Sequence, residues 1–146
     1  MRDKQKLIVT RGLPASGKST WARAWVLEDP KTRVRVNRDD IRKLLGPYWV
    51  PTREKLVTRI EDDMTYTALL FGYDVIVDAT NLKITDRFDE IVEGVEISNE
   101  VKIIIEWKDF TDVSLETCIE RDKLRTGDDR VGEEVIRGMY NKTLNK

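Results

Sequence analysis

The sequence predicts an α/β fold, a parallel sheet of about four strands with helices on both faces. Three observations carry this expectation. Short runs rich in Val and Ile alternate with helical patterns along the chain, with no repeat, low-complexity tract or Gly/Ser linker between them. The first apolar run passes through a glycine-rich turn directly into a helical pattern. A length of 146 residues suits one core rather than two, so a single domain over 1–146 is expected.

Strands are expected at 6–10, 34–37, 74–78 and 101–107, each short and β-branched. Helices are expected at 18–27, 39–45, 52–71, 85–92, 112–124 and 133–144. The longest places Leu56, Ile60, Met64, Leu69 and Phe71 at near-helical spacing and stops at Gly72. The last carries Val135, Ile136, Met139, Tyr140 and Leu144 on one face. Between the final two helices, residues 125–132 are polar apart from Val131 and read as a mobile loop. That loop and the helix end before it, about 121–132, form a candidate lid.

Composition narrows the chemistry. The chain has no histidine, which excludes serine–histidine triads, His-ligated zinc and imidazole acid/base catalysis. A lone Cys118 allows no internal disulfide and no multi-cysteine metal site, as expected of a reducing cytoplasm. Apolar runs such as 7–9 and 103–105 are too short to cross a bilayer, and the charged residues 1–6 do not resemble a signal peptide. No membrane association and a cytoplasmic location are therefore expected. With 26 basic and 27 acidic residues, any contact with nucleic acid would need a local basic patch.

The strongest motif runs Gly12, Leu13, Pro14, Ala15, Ser16, Gly17, Lys18, Ser19, a glycine-rich phosphate-binding loop between a strand and a helix. Successive backbone N–H groups of such a loop wrap phosphates, and the following helix adds its positive dipole end. Lys18 would reach the β- and γ-phosphates, and the Ser19 hydroxyl would ligate Mg²⁺. A second segment, Asn37-Arg38-Asp39-Asp40-Ile41-Arg42, lies where a strand gives way to a helix, on the same rim. Either aspartate there can cap the helix while the other projects into the cleft as a proton acceptor. Arg42, three residues beyond Asp39, can face the same ligand. The third segment ends the strand 74–78 at Asp78, an outer-shell partner for Mg²⁺, followed by Thr80 and Asn81 as cleft-lining polar residues. Arg121, Arg125 and Arg130 follow. The first two share a helix face, and guanidinium groups suit a transferring phosphate. Of the four tryptophans, Trp21, Trp25 and Trp107 suit packing, whereas Trp49, in a loop between Pro47 and Pro51, is the candidate stacking platform. Cys118 suits a core position.

Together these residues resemble the kinase domain of the phage polynucleotide kinase family. The resemblance rests on Gly12 through Trp21 and Ala22, Asn37 through Arg42, Asp78 through Leu82, and Arg121 and Arg125 before residues 136–140. It implies an adenylate-kinase-like P-loop fold and transfer of the γ-phosphate of ATP to the 5′-hydroxyl end of DNA or RNA. Asp39 would then be the general base, Arg42 (with Arg38) the acceptor-side contact, and Arg125 the contact to the transferring group. Residues 12–20, from Gly12 to Thr20, together with Arg121, would bind the nucleotide. ATP and Mg²⁺ are the implied cofactors and a nucleic-acid end the implied partner, without an obligate protein partner; a phage-encoded chain would work in the host cytoplasm. The alternatives are a kinase of hydroxymethylated pyrimidines in DNA, a nucleoside or sugar kinase, and a nucleotide-binding switch without catalysis.

Overall fold

The apolar run 7–9 forms the middle of β1 (Lys4–Arg11), the strand around which the other elements are arranged. The computed structural model describes residues 4–145. β1 pairs with β3 (Asp74–Asp78) on one side and β4 (Lys102–Asp109) on the other, and β2 (Arg33–Asn37) lies outside β3. The order is β2-β3-β1-β4 and every pairing is parallel, as the alternation of strands and helices implies.

Period-2 alternation divides β1 between two cores. Leu7 and Val9 enter a cluster with α2 (Arg38–Leu44), α3 (Glu54–Leu70) and α4 (Arg87–Asn99), through Ile41, Val57, Leu69, Phe88, Val92 and Val95. Ile8 enters the opposite cluster with Ile76 and with Ala22 and Trp25 of α1 (Lys18–Glu28). A third cluster, containing Leu13, Leu82, Cys118, Ile119 and Ile136, packs α5 (Leu115–Lys123) and α6 (Glu133–Thr143) against the turn that follows β1. Cys118 is thus a core residue, as expected. Among the described residues, no helix is long and apolar enough to cross a membrane.

The structure departs from the sequence reading in the helices. Leu56, Met64 and Phe71 of the expected α3 stripe are exposed; the buried stripe is Val57, Glu61, Thr65 and Leu69. Hydrophobicity alone does not find this face, because two of its four members are polar. Glu61 is buried against Arg87 (2.5 Å) and within 3.7 Å of Arg38, and Thr65 Oγ1 donates to the Glu61 carbonyl at 2.8 Å. Helix α3 also starts at Glu54, after a 3₁₀ turn over Pro51–Arg53. Helix α4 runs seven residues beyond the expected end at 92, because Val95 continues the buried face of Phe88 and Val92. Gly94 lies where α4 meets α3: a Cβ there would approach the Tyr66 ring to 3.3 Å. Helix α5 begins at Leu115 rather than 112, capped by Ser114, whose Oγ accepts from Thr117 N.

The reassigned face of α3 has a measurable consequence. Leu69→Ala should destabilise the protein by about 2–5 kcal/mol, whereas Leu56→Ala should stay within about 0.5 kcal/mol of wild type. Urea unfolding midpoints check both; equal losses would contradict the packing.

Candidate active site

The turn after β1 is held open by its backbone. Gly12 N donates to Thr80 O at 2.9 Å, tying the loop to the end of β3. A Cβ on Gly12 would lie 2.8 Å from Ser16 Oγ and 2.9 Å from Phe110 Cβ, so only glycine fits. Gly17 has φ 105° and Ala15 φ 65°, left-handed conformations that fold the loop into a cradle. Lys18 is buried, and its Nζ donates to Leu13 O (2.5 Å) and Ser16 Oγ (3.3 Å). Burial lowers the Lys18 ammonium to about 8, against an opposing pull from Asp78.

Asp78 closes β3 and is 1% exposed. Its Oδ2 accepts from Ser19 Oγ at 2.7 Å, Arg35 Nε at 2.9 Å and Asn37 Nδ2 at 3.1 Å. The β2–β3 register sets Asn37 opposite Asp78, so the contact follows from strand pairing. Arg35 was absent from the sequence reading, although a charge between Val34 and Val36 in an apolar strand is a usable signal. Thr80 lines the cleft. The Asn81 amide, by contrast, donates to Thr10 O (2.8 Å), which places this expected substrate contact on the backbone of β1.

The Asn-Arg-Asp-Asp turn works differently from expectation: neither aspartate caps α2. Asn37 does, its Oδ1 accepting from Asp40 N at 2.9 Å. Asp40 pairs instead with Arg35 at 3.1 Å. Asp39 lines the cleft, and its Oδ1 accepts from Tyr48 Oη and from Arg42 Nη1, both at 2.6 Å. Arg42 also makes a two-pronged contact to Glu54, Nε to Oε2 at 3.0 Å and Nη2 to Oε1 at 2.6 Å. Arg38 reaches Thr58 Oγ1 at 2.9 Å and Glu54 Oε1 at 3.3 Å while lining the cleft. Burial, then the bond to Asp39, pushes the Tyr48 phenol above its ordinary range. Tyr48 and Glu54 were missed from sequence because a loop tyrosine and a helix-starting glutamate carry no local pattern.

The arginine series is split by the end of α5. Arg121 Nη1 donates to Ala15 O at 3.4 Å, from outside the phosphate loop. Arg125, just past the C-cap Leu124 and so not on a shared helix face, lines the cleft with Arg130. The candidate lid is pinned by a residue the sequence reading overlooked. Asp122 is 1% exposed and accepts from Val131 N and Gly132 N, each at 2.8 Å, which fixes the entry to α6. A 3₁₀ turn over Gly127–Asp129 lies within the segment, and Asp129 pairs with Lys43 of α2 at 2.8 Å. Thr20 is exposed on α1 and does not line the cleft.

These elements enclose a cavity of about 540 Å³. It brings together Lys18, Ser19 and Asp78 of the loop side, Asp39 and Arg42 of α2, and Arg125 of the lid segment. A backbone cradle for anions therefore faces a half-exposed carboxylate across one cavity, an arrangement suited to moving a charged group onto a hydroxyl.

Comparison with known proteins gives the same outline. An AAA domain family model matches residues 7–143. A protein of Autographa californica nuclear polyhedrosis virus described as a bifunctional polynucleotide kinase/RNA ligase is 28% identical over 158 residues, covering 96% of this chain and 21% of the viral protein. A chain of the Pnkp1/Rnl/Hen1 RNA repair complex superposes with a TM-score of 0.72 at 26% identity, covering 97% of this chain and 45% of that one. A gluconokinase from Sinorhizobium meliloti shares the fold at 16% identity and a TM-score of 0.53, covering 98% of this chain and 77% of its own. The chain thus spans about a fifth of the viral relative and less than half of the repair-complex chain.

The environment of Lys18 predicts a linkage between the loop and stability. A lysine lowered in the folded state is penalised while charged, and the penalty fades as pH rises from about 8 towards the ordinary value of 10.5. Lys18→Met should therefore melt above wild type at pH 7, with the difference shrinking through that window. Thermal melts of the nucleotide-free proteins across pH measure it; a variant less stable at pH 7 would refute the assignment.

Proposed function

The chain belongs to the AAA domain family that its residues 7–143 match, and from that premise we propose that it transfers the γ-phosphate of ATP to the 5′-hydroxyl end of a nucleic acid. The single observation that supports this most is the shared cavity, in which Lys18 and Ser19 face Asp39, Arg42 and Arg125. The names of its relatives support the polynucleotide acceptor: a polynucleotide kinase/RNA ligase and an RNA repair complex.

The residues present fit a nucleoside triphosphate and Mg²⁺. A Cβ would fill the cradle at Gly12, and the Ser19 hydroxyl, which donates to Asp78 at 2.7 Å, keeps its oxygen lone pairs for a hard cation with Asp78 behind it as the outer-shell partner. When bound, the metal nucleotide supplies the phosphoryl group and neutralises charge on its β/γ oxygens. Lys18 would bind those oxygens, and Ser19 would hold the metal with Asp78 as its outer-shell partner. Both donors to Asp39 converge on Oδ1, which leaves Oδ2 to take the proton of the attacking hydroxyl. Arg42 orients that carboxylate and meets the acceptor's first phosphate. Arg125, on the lid segment, faces the charge that spreads over the transferring group. A near-neutral chain suffices for this acceptor, since an end presents only a few phosphates.

Asp39→Asn should lower transfer to a 5′-hydroxyl oligonucleotide by about 10²–10⁴ while leaving ATP affinity nearly unchanged, and Asp40→Asn should stay close to wild type. Transfer of labelled phosphate and nucleotide titration separate the two. Full activity of Asp39→Asn would remove the general base, and labelling of free nucleosides or sugars alone would replace the acceptor class.

A second expectation concerns Arg42. A 3′-phosphorylated nucleoside should be a better acceptor than the bare nucleoside by about one to two decades in kcat/KM, the worth of a charge-assisted contact. Arg42→Ala should bring that ratio near one. A ratio unchanged in the variant would take the phosphate contact away from Arg42.

A further inference from the structure

The wall of the cavity beside Asp39 carries aromatic surface that phosphoryl transfer does not require. Trp49 lines the cavity yet remains 60% exposed, an unusual exposure for an indole. The Arg42 guanidinium lies 5.6 Å from its ring centroid and 5.9 Å from that of Tyr48, whose hydroxyl reaches Asp39. Glu54 fixes the guanidinium through two hydrogen bonds, so the indole sits against a platform that is itself held in place. From α6, Val135 and Met139 add aliphatic surface to the same cavity.

Resting on the reading above, we infer that Trp49 is the stacking surface for the base of the acceptor's terminal nucleotide. The chemistry matches point for point. A nucleotide end presents a hydroxyl, a phosphate and a flat aromatic base around one sugar, and Asp39, Arg42 and Trp49 present a carboxylate, a guanidinium and an indole around one cavity. Stacking recognises the π-face that every base has, so it gives preference for a base-bearing end without preference for one sequence. Trp49 is therefore a specificity residue for the acceptor, not a catalytic one.

The test uses two oligonucleotides that differ only at the 5′ nucleotide, one with a normal base and one abasic, each with a free 5′-hydroxyl and a fluorophore at the 3′ end. Wild type should bind the base-bearing end about tenfold more tightly by anisotropy, the worth of one stacked base. Trp49→Ala should bring the ratio near one by weakening only the base-bearing ligand, and Trp49→Phe should keep most of it. In transfer assays the loss should fall on KM rather than kcat. Equal binding of the two ends by wild type, no binding at all, or an unchanged ratio in Trp49→Ala would each overturn the inference. A ratio that collapses in Trp49→Ala while wild type transfers no phosphate would uphold the stacking site and reject the proposed reaction.

Discussion

A buried carboxylate at the end of β3 sets the terms for the rest of the structure. Asp78 is almost fully shielded from water, and an unpaired charge there would cost several kcal/mol. Its partners are consequently obligatory, and they come from separate elements: Ser19 from the first turn of α1, and Arg35 and Asn37 from β2. One side chain therefore fixes the edge strand, the start of the phosphate loop's helix and the origin of α2 relative to each other. Because Asn37 also caps α2 through Asp40 N, the position of Asp39 in the cavity is inherited from the same node.

Around that node the charges of the described residues form two runs, which meet only through the backbone of Asp39 and Asp40. Arg35 links Asp78 to Asp40, while Arg42 links Asp39 to Glu54, and Arg38 links Glu54 to the buried Glu61 of α3. Each arginine serves two carboxylates, which planar multidentate guanidinium groups do better than ammonium groups. The side of the cavity that carries Asp39 and Arg42 is thus held by side-chain pairs from α2 and α3, and the glycine-rich loop by backbone geometry at Gly12, Ala15 and Gly17. Asp122 does for the lid segment what Asp78 does for the sheet, pinning Val131 and Gly132 so that Arg125 and Arg130 reach the cavity from a defined anchor.

The sequence by itself determined the parallel sheet, the number of strands and the phosphate loop. These depend on short-range patterns: β-branched runs buried on both faces, and glycines where a Cβ has no room. It also placed Lys18, Ser19, Asp39, Arg42, Thr80 and Arg125 in one cleft, because all lie at carboxyl ends of strands or in the lid beside them. Only the tertiary structure decided which face of α3 is buried, since Glu61 counts as core only once Arg87 and Arg38 arrive from other elements. It alone showed that Asn37, not an aspartate, caps α2, that Asn81 bonds the backbone, that Tyr48 lines the cavity, and that Arg35, Glu54 and Asp122 anchor Asp78, Arg42 and the entry to α6 around it. Those roles come from partners as far as 71 residues away in sequence, as between Asn81 and Thr10. A local pattern records what a residue is, whereas burial and pairing record what the fold brings to it.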